Sequence, residues 1–112
     1  MTDCLFCRMI NGDIKPDVVF EDDNVLAFND LSPQAPVHIL IIPKRHISTL
    51  NELDDADTAG QLLQTAVTLA KQLGFADDGY RTVFNCNQHG GQSVYHLHLH
   101  LLAGRQMTWP AG

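Results

Sequence analysis

Apolar positions along the chain follow two periods, one typical of a helix and one typical of strands. One long helix is predicted from Ala56 to Leu73, where apolar residues recur every three to four positions. Gly74 follows it directly and suits a left-handed helix cap. A short helix is expected over Cys4 to Ile10, with Asp3 as its N-terminal cap.

Runs of β-branched and aromatic residues predict the strands. Val18 to Phe20 and Val25 to Phe28 flank an acidic turn and predict a hairpin. Val37 to Ile42 is a nearly continuous apolar run, as expected of a central strand, and the following proline should end it. Two more strands are predicted over Tyr80 to Cys86 and Val94 to Leu102. Because strands and helices do not alternate regularly, we expect an α+β domain with a mainly antiparallel sheet.

The last predicted strand contains the sequence His-Leu-His-Leu-His. A two-residue period places His96, His98 and His100 on one face of a strand. Such an array suits either a metal ion or an anionic ligand, and structural histidines are the less specific alternative. His38 lies inside the apolar run of residues 37–42, where a histidine is more often a core residue. If the two strands are neighbours, His38 becomes a fourth imidazole at the site.

Several other residues have candidate functions. Gln88 to Ser93 contains two adjacent glycines, so it is either an anion-binding loop or a hairpin turn. Asn85 is a neutral donor on the same side of this segment. Asp30 can accept hydrogen bonds from sugar hydroxyls or can start a turn. Trp109, the only tryptophan, can dock on a base or on a partner subunit.

Cys4 and Cys7 have the spacing of metal ligands on a helical turn. His46 and one histidine of the triad can complete a Cys2His2 zinc site, and buried free cysteines are the equally weighted alternative. Three cysteines do not suggest a disulfide scaffold, and Cys86 is expected to be a core residue.

Charge and length exclude some classes of protein. Seven basic against thirteen acidic residues give a net charge of −6, which disfavours binding to a nucleic-acid duplex. The longest apolar run, Ile39 to Ile42, is too short to span a membrane. The acidic residue in Met1 to Cys4 does not fit a secretory signal, so a cytoplasmic protein is expected.

Residues His96 to Leu102 match the His-φ-His-φ-His-φ-φ signature (φ apolar) of the histidine-triad (HIT) superfamily. The chain also resembles the Hint branch of that superfamily at residues 30–36, 42–46, 90–95, 104–107 and 109–110. The resemblance covers essentially the whole chain and implies a single HIT domain over residues 1–112. It implies a five-stranded, mainly antiparallel sheet with one long and one short helix, and two such sheets joined across a homodimer.

Members of the Hint branch hydrolyse purine nucleoside phosphoramidates, such as adenosine 5′-phosphoramidate and aminoacyl-adenylate-type adducts, and release the nucleoside monophosphate. The resemblance therefore implies a purine nucleotide substrate with an AMP or GMP moiety and no cofactor required for catalysis. The alternatives are a dinucleoside polyphosphate hydrolase, a nucleotide-binding regulator with incidental turnover, and a metal-dependent enzyme that uses the triad as ligands.

The resemblance also assigns roles to individual residues. His98 would be the nucleophile that forms a covalent nucleotidyl-histidine. His38 and His100 would stabilise the phosphoryl oxygens, His96 would orient its neighbour, and Ser93 would lie near the leaving group. The implied nucleotide contacts are Phe6, Asp30, Leu31, Asn85, Gly91, Gln92, Ser93, Val94 and, from the partner subunit, Trp109. A structural zinc on Cys4, Cys7, His46 and His96 would be a departure from many members of the branch.

Overall fold

Residues 4–112, the part of the chain that this computed structural model describes, contain five strands and three α-helices. The elements in chain order are α1 (Leu5–Ile10), β1 (Val18–Glu21), β2 (Val25–Asn29), β3 (Val37–Pro43), α2 (Ala56–Leu73), β4 (Arg81–Phe84), α3 (Asn87–Gly90) and β5 (Leu99–Ala103). A 3-10 turn over Leu50–Glu52 precedes α2. None of the helices in the described part is long and apolar enough to cross a membrane.

The strands form one sheet in the order β1-β2-β3-β5-β4, and every neighbouring pair is antiparallel. The predicted α+β class and antiparallel sheet are therefore confirmed. β3 lies at the centre, and its register places His38 opposite Leu102 and Leu40 opposite His100. The strand that carries His38 thus neighbours the strand that carries His100, which is the condition for a fourth imidazole at the site.

The apolar run of β3 supplies both faces of the sheet because its side chains alternate. Ile39 and Ile41 pack into the larger core cluster, which contains Leu62, Ala66 and Leu69 of α2. Leu40 and Ile42 pack on the opposite face with Phe6 of α1. The sheet therefore separates the long helix from the face that carries the short helix and His38.

The predicted bounds of α2 agree with the structure at both ends. The Asp55 carboxylate accepts the backbone N–H of Asp57 at 2.9 Å, which satisfies a free donor of the first turn. Gly74 takes the left-handed conformation, with a φ of 88°, as predicted. At α1 the observed cap is Cys4, whose sulfur accepts the Cys7 N–H at 3.2 Å. The predicted cap, Asp3, lies outside the described residues.

The prediction of a strand from Val94 to Leu102 was wrong at its start, since β5 begins only at Leu99. The reason is a competing set of partners in the segment after β3. The Leu97 N–H donates to the Ile47 carbonyl at 2.6 Å, and the Gln92 amide donates to the Ser48 carbonyl. His96 and His98 therefore precede the strand and only His100 lies in it.

The segment before the histidines also differs from its prediction. The strand expected over residues 80–86 is limited to Arg81–Phe84, because the chain then turns into the single helical turn α3. The glycine-containing segment is thus not a hairpin turn. Gly91 closes α3 in the left-handed conformation, with a φ of 78°, and the Asn85 amide donates to the Gly90 carbonyl at 2.6 Å.

Candidate active site

A cavity of about 260 Å³ opens on the face of the sheet that carries α1. Its wall is largely apolar and is formed by Leu5, Phe6, Met9, Phe28, Leu31 and Leu40. Polar groups are concentrated in Asp30, Ser93, His98 and His100, with Lys15, Asp17 and Asn29 as further lining residues. An apolar slot with a few converging polar groups is the usual form of a small-ligand site.

The hydrogen bond of His98 determines which of its nitrogens is free. Its Nδ1–H donates to the backbone carbonyl of His96 at 2.7 Å, so the neutral ring carries its lone pair on Nε2. Burial lowers the pKa of His98, while the bond to the His96 carbonyl and the nearby Asp30 partly oppose that shift. A neutral imidazole with a free Nε2 in a cavity is a nucleophile or base near neutral pH.

His38 and His100 form a directed pair beside His98. The backbone N–H of Gln34 donates to His38 Nδ1 at 3.0 Å, so the neutral His38 ring carries its proton on Nε2. That Nε2–H donates to His100 Nδ1 at 2.9 Å, which leaves His100 with its proton on Nε2. Burial, together with the neighbouring His98 and His38, lowers the pKa of His100 to about 4. His100 therefore offers an N–H donor to a ligand in the cavity.

Asp30, His38 and His100 bring three possible metal-ligating atoms within 4.8 Å of one another. The hydrogen bonds argue against a metal there. His38 already uses the Nδ1 lone pair to accept the Gln34 N–H, and its Nε2 carries the proton. A metal on that nitrogen would require the imidazolate form, which is a costly state for a buried ring at neutral pH. The geometry favours hydrogen bonding to an anion over metal ligation at this position.

The ring of His96 points to a different set of residues. His96 is fully buried, its Nε2–H donates to the Pro43 carbonyl at 2.8 Å, and its Nδ1 lone pair is directed at the sulfurs of Cys4 and Cys7, at 3.3 and 3.6 Å. His46 Nδ1 lies 3.2 Å from His96 Nδ1 and 3.3 Å from the Cys7 sulfur. Four ligand atoms of the Cys2His2 type thus converge on one point, which we call the thiol–imidazole cluster.

The distances in the thiol–imidazole cluster fit a tetrahedral zinc ion. Bond lengths of 2.0–2.3 Å at tetrahedral angles place ligand atoms about 3.3–3.8 Å apart, close to the separations seen here. Burial raises the pKa of Cys7 to about 11, with the hydrogen bond and charge of Cys4 adding to it. Burial also lowers the pKa of His96 to about 4. A divalent cation would stabilise the thiolate form of the cysteines, so the donor set fits such an ion.

The other residues predicted at the site fall into two groups. Phe6, Asp30, Leu31, Ser93 and Val94 line the cavity together with His98 and His100. Asn85 lies instead in an adjoining cleft with Arg81, Arg105 and the second face of the His38–His100 pair. Gln92 is buried, and its amide bonds the carbonyls of Ser48 and Val94. Trp109 is 84% exposed and is absent from the lining of this cavity.

Some site residues had no signal in the sequence pattern. The Gln34 backbone N–H sets the tautomer of His38, and the Pro43 carbonyl holds His96, yet any residue type with a main chain can supply such groups. The segment Ile14 to Asp17 also lines the cavity. Its residues are unremarkable as a sequence, and their position becomes visible only once β1 is paired with β2.

The cavity combines apolar surfaces with imidazole and hydroxyl groups that can donate hydrogen bonds. Residues 11–107 match the HIT domain family, and the chain belongs to that family. The motif-based identification and the HIT-type fold are therefore confirmed.

Relatives of this chain include a phosphoramidase and a zinc-binding protein. A purine nucleoside phosphoramidase from Escherichia coli K12 is 48% identical over 105 residues, which cover 92% of this chain and 88% of the relative. A 14 kDa zinc-binding protein from Brassica juncea is 49% identical over 114 residues, which cover 98% of this chain and 100% of the relative. The crystal structure of a HIT family hydrolase from Legionella pneumophila Philadelphia 1 is 56% identical and superposes with a TM-score of 0.95, covering 98% of this chain and 100% of that chain.

Proposed function

We propose that the protein is a hydrolase that cleaves the P–N bond of purine nucleoside phosphoramidates and releases the nucleoside monophosphate. The observation that carries the proposal is the His98 ring, whose Nδ1–H is bonded to a carbonyl and whose free Nε2 lies at the cavity. The E. coli relative named purine nucleoside phosphoramidase supports the same activity.

In the first step, His98 Nε2 attacks the α-phosphorus and the P–N bond breaks. The resulting nucleotidyl-imidazolium keeps its Nδ1–H on the His96 carbonyl, which stabilises the positive charge that develops on the ring. The leaving nitrogen takes up a proton from solvent as the P–N bond breaks, and Ser93, which lines the cavity, can hydrogen-bond the departing amine. Water then hydrolyses the P–N bond to His98, so that one difficult displacement becomes two easier ones.

His100 and His38 supply the fixed donors for the phosphoryl oxygens. The His100 Nε2–H is oriented by the bond between its Nδ1 and His38, and neither ring has to reorganise when charge develops. Preorganised donors of this kind are typically worth about 3–4 kcal/mol each in the transition state. The backbone around Gly91, Ser93 and Val94 is the proposed contact for the remaining phosphate oxygens.

The nucleoside would occupy the apolar part of the cavity. Phe6 and Leu31 offer apolar surfaces for a purine base. One Asp30 oxygen accepts the Ser32 N–H at 2.8 Å, and the other can accept hydrogen bonds from the ribose hydroxyls. Because the wall is mainly apolar, we propose that it selects purines by shape and stacking more than by hydrogen bonds to the base edge.

We further propose that the thiol–imidazole cluster holds a structural zinc ion on Cys4, Cys7, His46 and His96. Zinc would supply four bonds that hold α1 to the start of the histidine segment, and it would lie outside the proposed reaction path. The fit of the donor set and the B. juncea relative named for zinc binding support this proposal.

A homodimer is the proposed assembly. β4 is an edge strand, and the apolar side chains of Leu63, Leu73 and Tyr80 are exposed. Trp109 is exposed and does not line the cavity of its own subunit, which fits a proposed contact with the site of a partner. Light scattering coupled to size exclusion should give twice the mass of one chain.

The central experiment compares His98→Asn with the matched control His89→Asn. His89 is an exposed histidine of α3 that does not line the cavity, so its replacement should leave turnover unchanged. His98→Asn should lower the rate of AMP release from adenosine 5′-phosphoramidate by a factor of about a thousand or more, while AMP still binds. Rapid quench of the wild type should trap a covalently nucleotidylated protein.

Two outcomes would contradict the proposal. Turnover retained in His98→Asn removes His98 as the nucleophile. A higher kcat/KM for a diadenosine polyphosphate than for the phosphoramidate would instead favour a dinucleoside polyphosphate hydrolase. Activity that survives prolonged chelation is expected, since the zinc has no step in this mechanism.

A further inference from the structure

The loop between β2 and β3 is held from outside by the chain that follows β5. The Arg105 guanidinium donates to the backbone carbonyl of Gln34 through Nε at 3.2 Å and through Nη2 at 3.1 Å. Gly104 makes this approach possible because it crosses directly over Pro36. A Cβ at Gly104 would lie 2.8 Å from the Pro36 Cβ, and its φ of +94° also favours glycine.

The same loop residue contributes to the protonation geometry of the imidazole pair, together with the Asp30 carboxylate, whose Oδ2 lies 3.5 Å from His38 Nε2. Gln34 offers its N–H to His38 Nδ1, and His38 in turn donates its Nε2–H to His100 Nδ1. The contacts therefore run in one direction, from the guanidinium through Gln34 and His38 to His100. At its end is the His100 Nε2–H, the donor available in the cavity.

The positively charged Arg105 side chain binds a backbone carbonyl of this loop. Within residues 4–112 the ion pairs involve other basic groups, whereas Arg105 donates to carbonyl oxygens. A charged donor bound to a backbone carbonyl makes a stronger hydrogen bond than a neutral one. Two such bonds to one oxygen restrain the position of Gln34 and, with it, the N–H that faces His38.

We propose that Arg105 is a positioning residue for the reaction, which acts through Gln34 on the tautomers of His38 and His100. If the Gln34 N–H moves away, the neutral His38 ring can carry its proton on Nδ1 and present a lone pair to His100. His100 would then donate from Nδ1 and turn a lone pair on Nε2 towards the phosphoryl oxygens, where it repels them. This inference rests on the proposed function for its kinetic consequence, but the tautomers can be measured without any substrate.

The first test measures the tautomers directly in Arg105→Gln and Arg105→Lys by long-range 1H–15N correlation spectra of the imidazole rings. The wild type should show His38 and His100 protonated on Nε2 and unprotonated on Nδ1. Arg105→Gln should show a mixture of the two tautomers at both rings. Arg105→Lys should show a smaller fraction of the Nδ1-protonated form than Arg105→Gln. Gln106→Ala, an exposed neighbour whose amide only bonds the Met107 carbonyl, is the control and should match the wild type.

The second test separates the backbone donor from the side chain of Gln34. Gln34→Pro removes the N–H, whereas Gln34→Ala keeps it and loses only a bond to the Ser32 carbonyl. Gln34→Pro should reproduce the tautomer mixture of Arg105→Gln, and Gln34→Ala should have a much smaller effect. The two Gln34 variants also test the contacts from Gln34 through His38 to His100 if an Arg105 variant does not fold.

The kinetic consequence is a loss of kcat without loss of nucleotide affinity. Arg105→Gln should lower kcat on adenosine 5′-phosphoramidate by about tenfold and leave the Kd for AMP within about twofold. Unchanged tautomers in both Arg105→Gln and Gln34→Pro would overturn the inference. Altered tautomers with an unchanged kcat would overturn its catalytic part. If the wild type itself does not turn over the phosphoramidate, the proposed function fails, and the spectra still decide the role of Arg105.

Discussion

His96 holds His98 through its backbone carbonyl while its own ring turns away to the sulfurs of Cys4 and Cys7. The carbonyl accepts the His98 Nδ1–H at 2.7 Å, and the ring nitrogen lies 3.3 Å from the Cys4 sulfur. One residue therefore joins the thiol–imidazole cluster to the candidate nucleophile. Phe6, between the two cysteines in the sequence, packs edge-on against both rings at 5.8 and 5.3 Å and also lines the cavity.

Loss of the proposed zinc should weaken nucleotide binding through Phe6, while the Pro43 carbonyl still holds the His96 ring behind the nucleophile. Cys4→Ser with Cys7→Ser removes two ligands that flank Phe6, so α1 and its side of the cavity lose their attachment to His46 and His96. We expect less than about 0.2 equivalents of zinc, a melting temperature lower by at least about 5 °C and a weaker Kd for AMP. Metal analysis, thermal unfolding and titration calorimetry measure these three effects.

The matched control for that variant is Cys86→Ser, which lies outside the thiol–imidazole cluster. It should keep the zinc content and the AMP affinity of the wild type. A double-serine protein with wild-type affinity for AMP would show that α1 keeps its place without the metal. A wild type purified without a histidine tag that contains no zinc would refute the metal proposal itself.

Asp30 should discriminate between ribose and deoxyribose. Its Oδ2 is the proposed acceptor for the ribose hydroxyls, while Oδ1 accepts the Ser32 N–H. Asp30→Asn keeps the size of the side chain but removes the charge. We expect KM to rise about tenfold for adenosine 5′-phosphoramidate and to change much less for the 2′-deoxy substrate. An equal rise for both substrates would place the effect of Asp30 on His38, whose Nε2 lies 3.5 Å away.

Much of the fold was accessible from local patterns. The α2 helix was predicted at both ends from its apolar stripe and its cap glycine, and the structure adds Asp55 as the N-terminal cap. The hairpin and the central strand were equally accessible from runs of β-branched residues. Adjacency of His38 and His100 could be stated only as a condition, since strand order depends on contacts far apart in sequence.

The structural features that the sequence pattern did not predict depend on hydrogen bonds of backbone groups. The late start of β5 follows from the Leu97 N–H bonding to the Ile47 carbonyl, and that competition has no residue-type signature. The alternating pattern alone predicts that the three histidines share a face. The resemblance to the histidine-triad superfamily had instead grouped His96 with Cys4, Cys7 and His46, and the partners of the His96 ring agree with that grouping.

Stability should fall in acid because His100 is buried in its neutral form. Its pKa in the folded protein is about 4, below the ordinary value of 6.5, since burial and the neighbouring His98 and His38 disfavour a charge. The unfolded chain therefore binds a proton between pH 6.5 and 4 that the folded chain does not. The contribution of His100 is complete above pH 6.5 and is lost as the pH falls towards 4.

The measurement is the free energy of unfolding from denaturant titrations across that range, for the wild type and for His100→Asn. Asparagine cannot titrate and can still accept a hydrogen bond from His38. We expect the pH dependence of the free energy to be shallower in the variant by about 1 kcal/mol per pH unit. Identical slopes in the two proteins would show that His100 does not titrate differently on folding. His89→Asn, at an exposed site, controls for the removal of any histidine.

Gly104 should tolerate a side chain less well than a glycine of similar conformation that has open space around it. Gly104 and Gly79 both have positive φ, at +94° and +101°, but only Gly104 would place a Cβ within 4 Å of another residue. Gly79→Ala should cost about 1 kcal/mol through backbone strain alone. Gly104→Ala should cost clearly more, and the displacement of Arg105 from Gln34 should also lower kcat on adenosine 5′-phosphoramidate. Chemical denaturation measures the free energy of unfolding, and steady-state kinetics measures kcat. An equal loss of unfolding free energy in both alanine variants would show that contact with Pro36 does not destabilise Gly104→Ala.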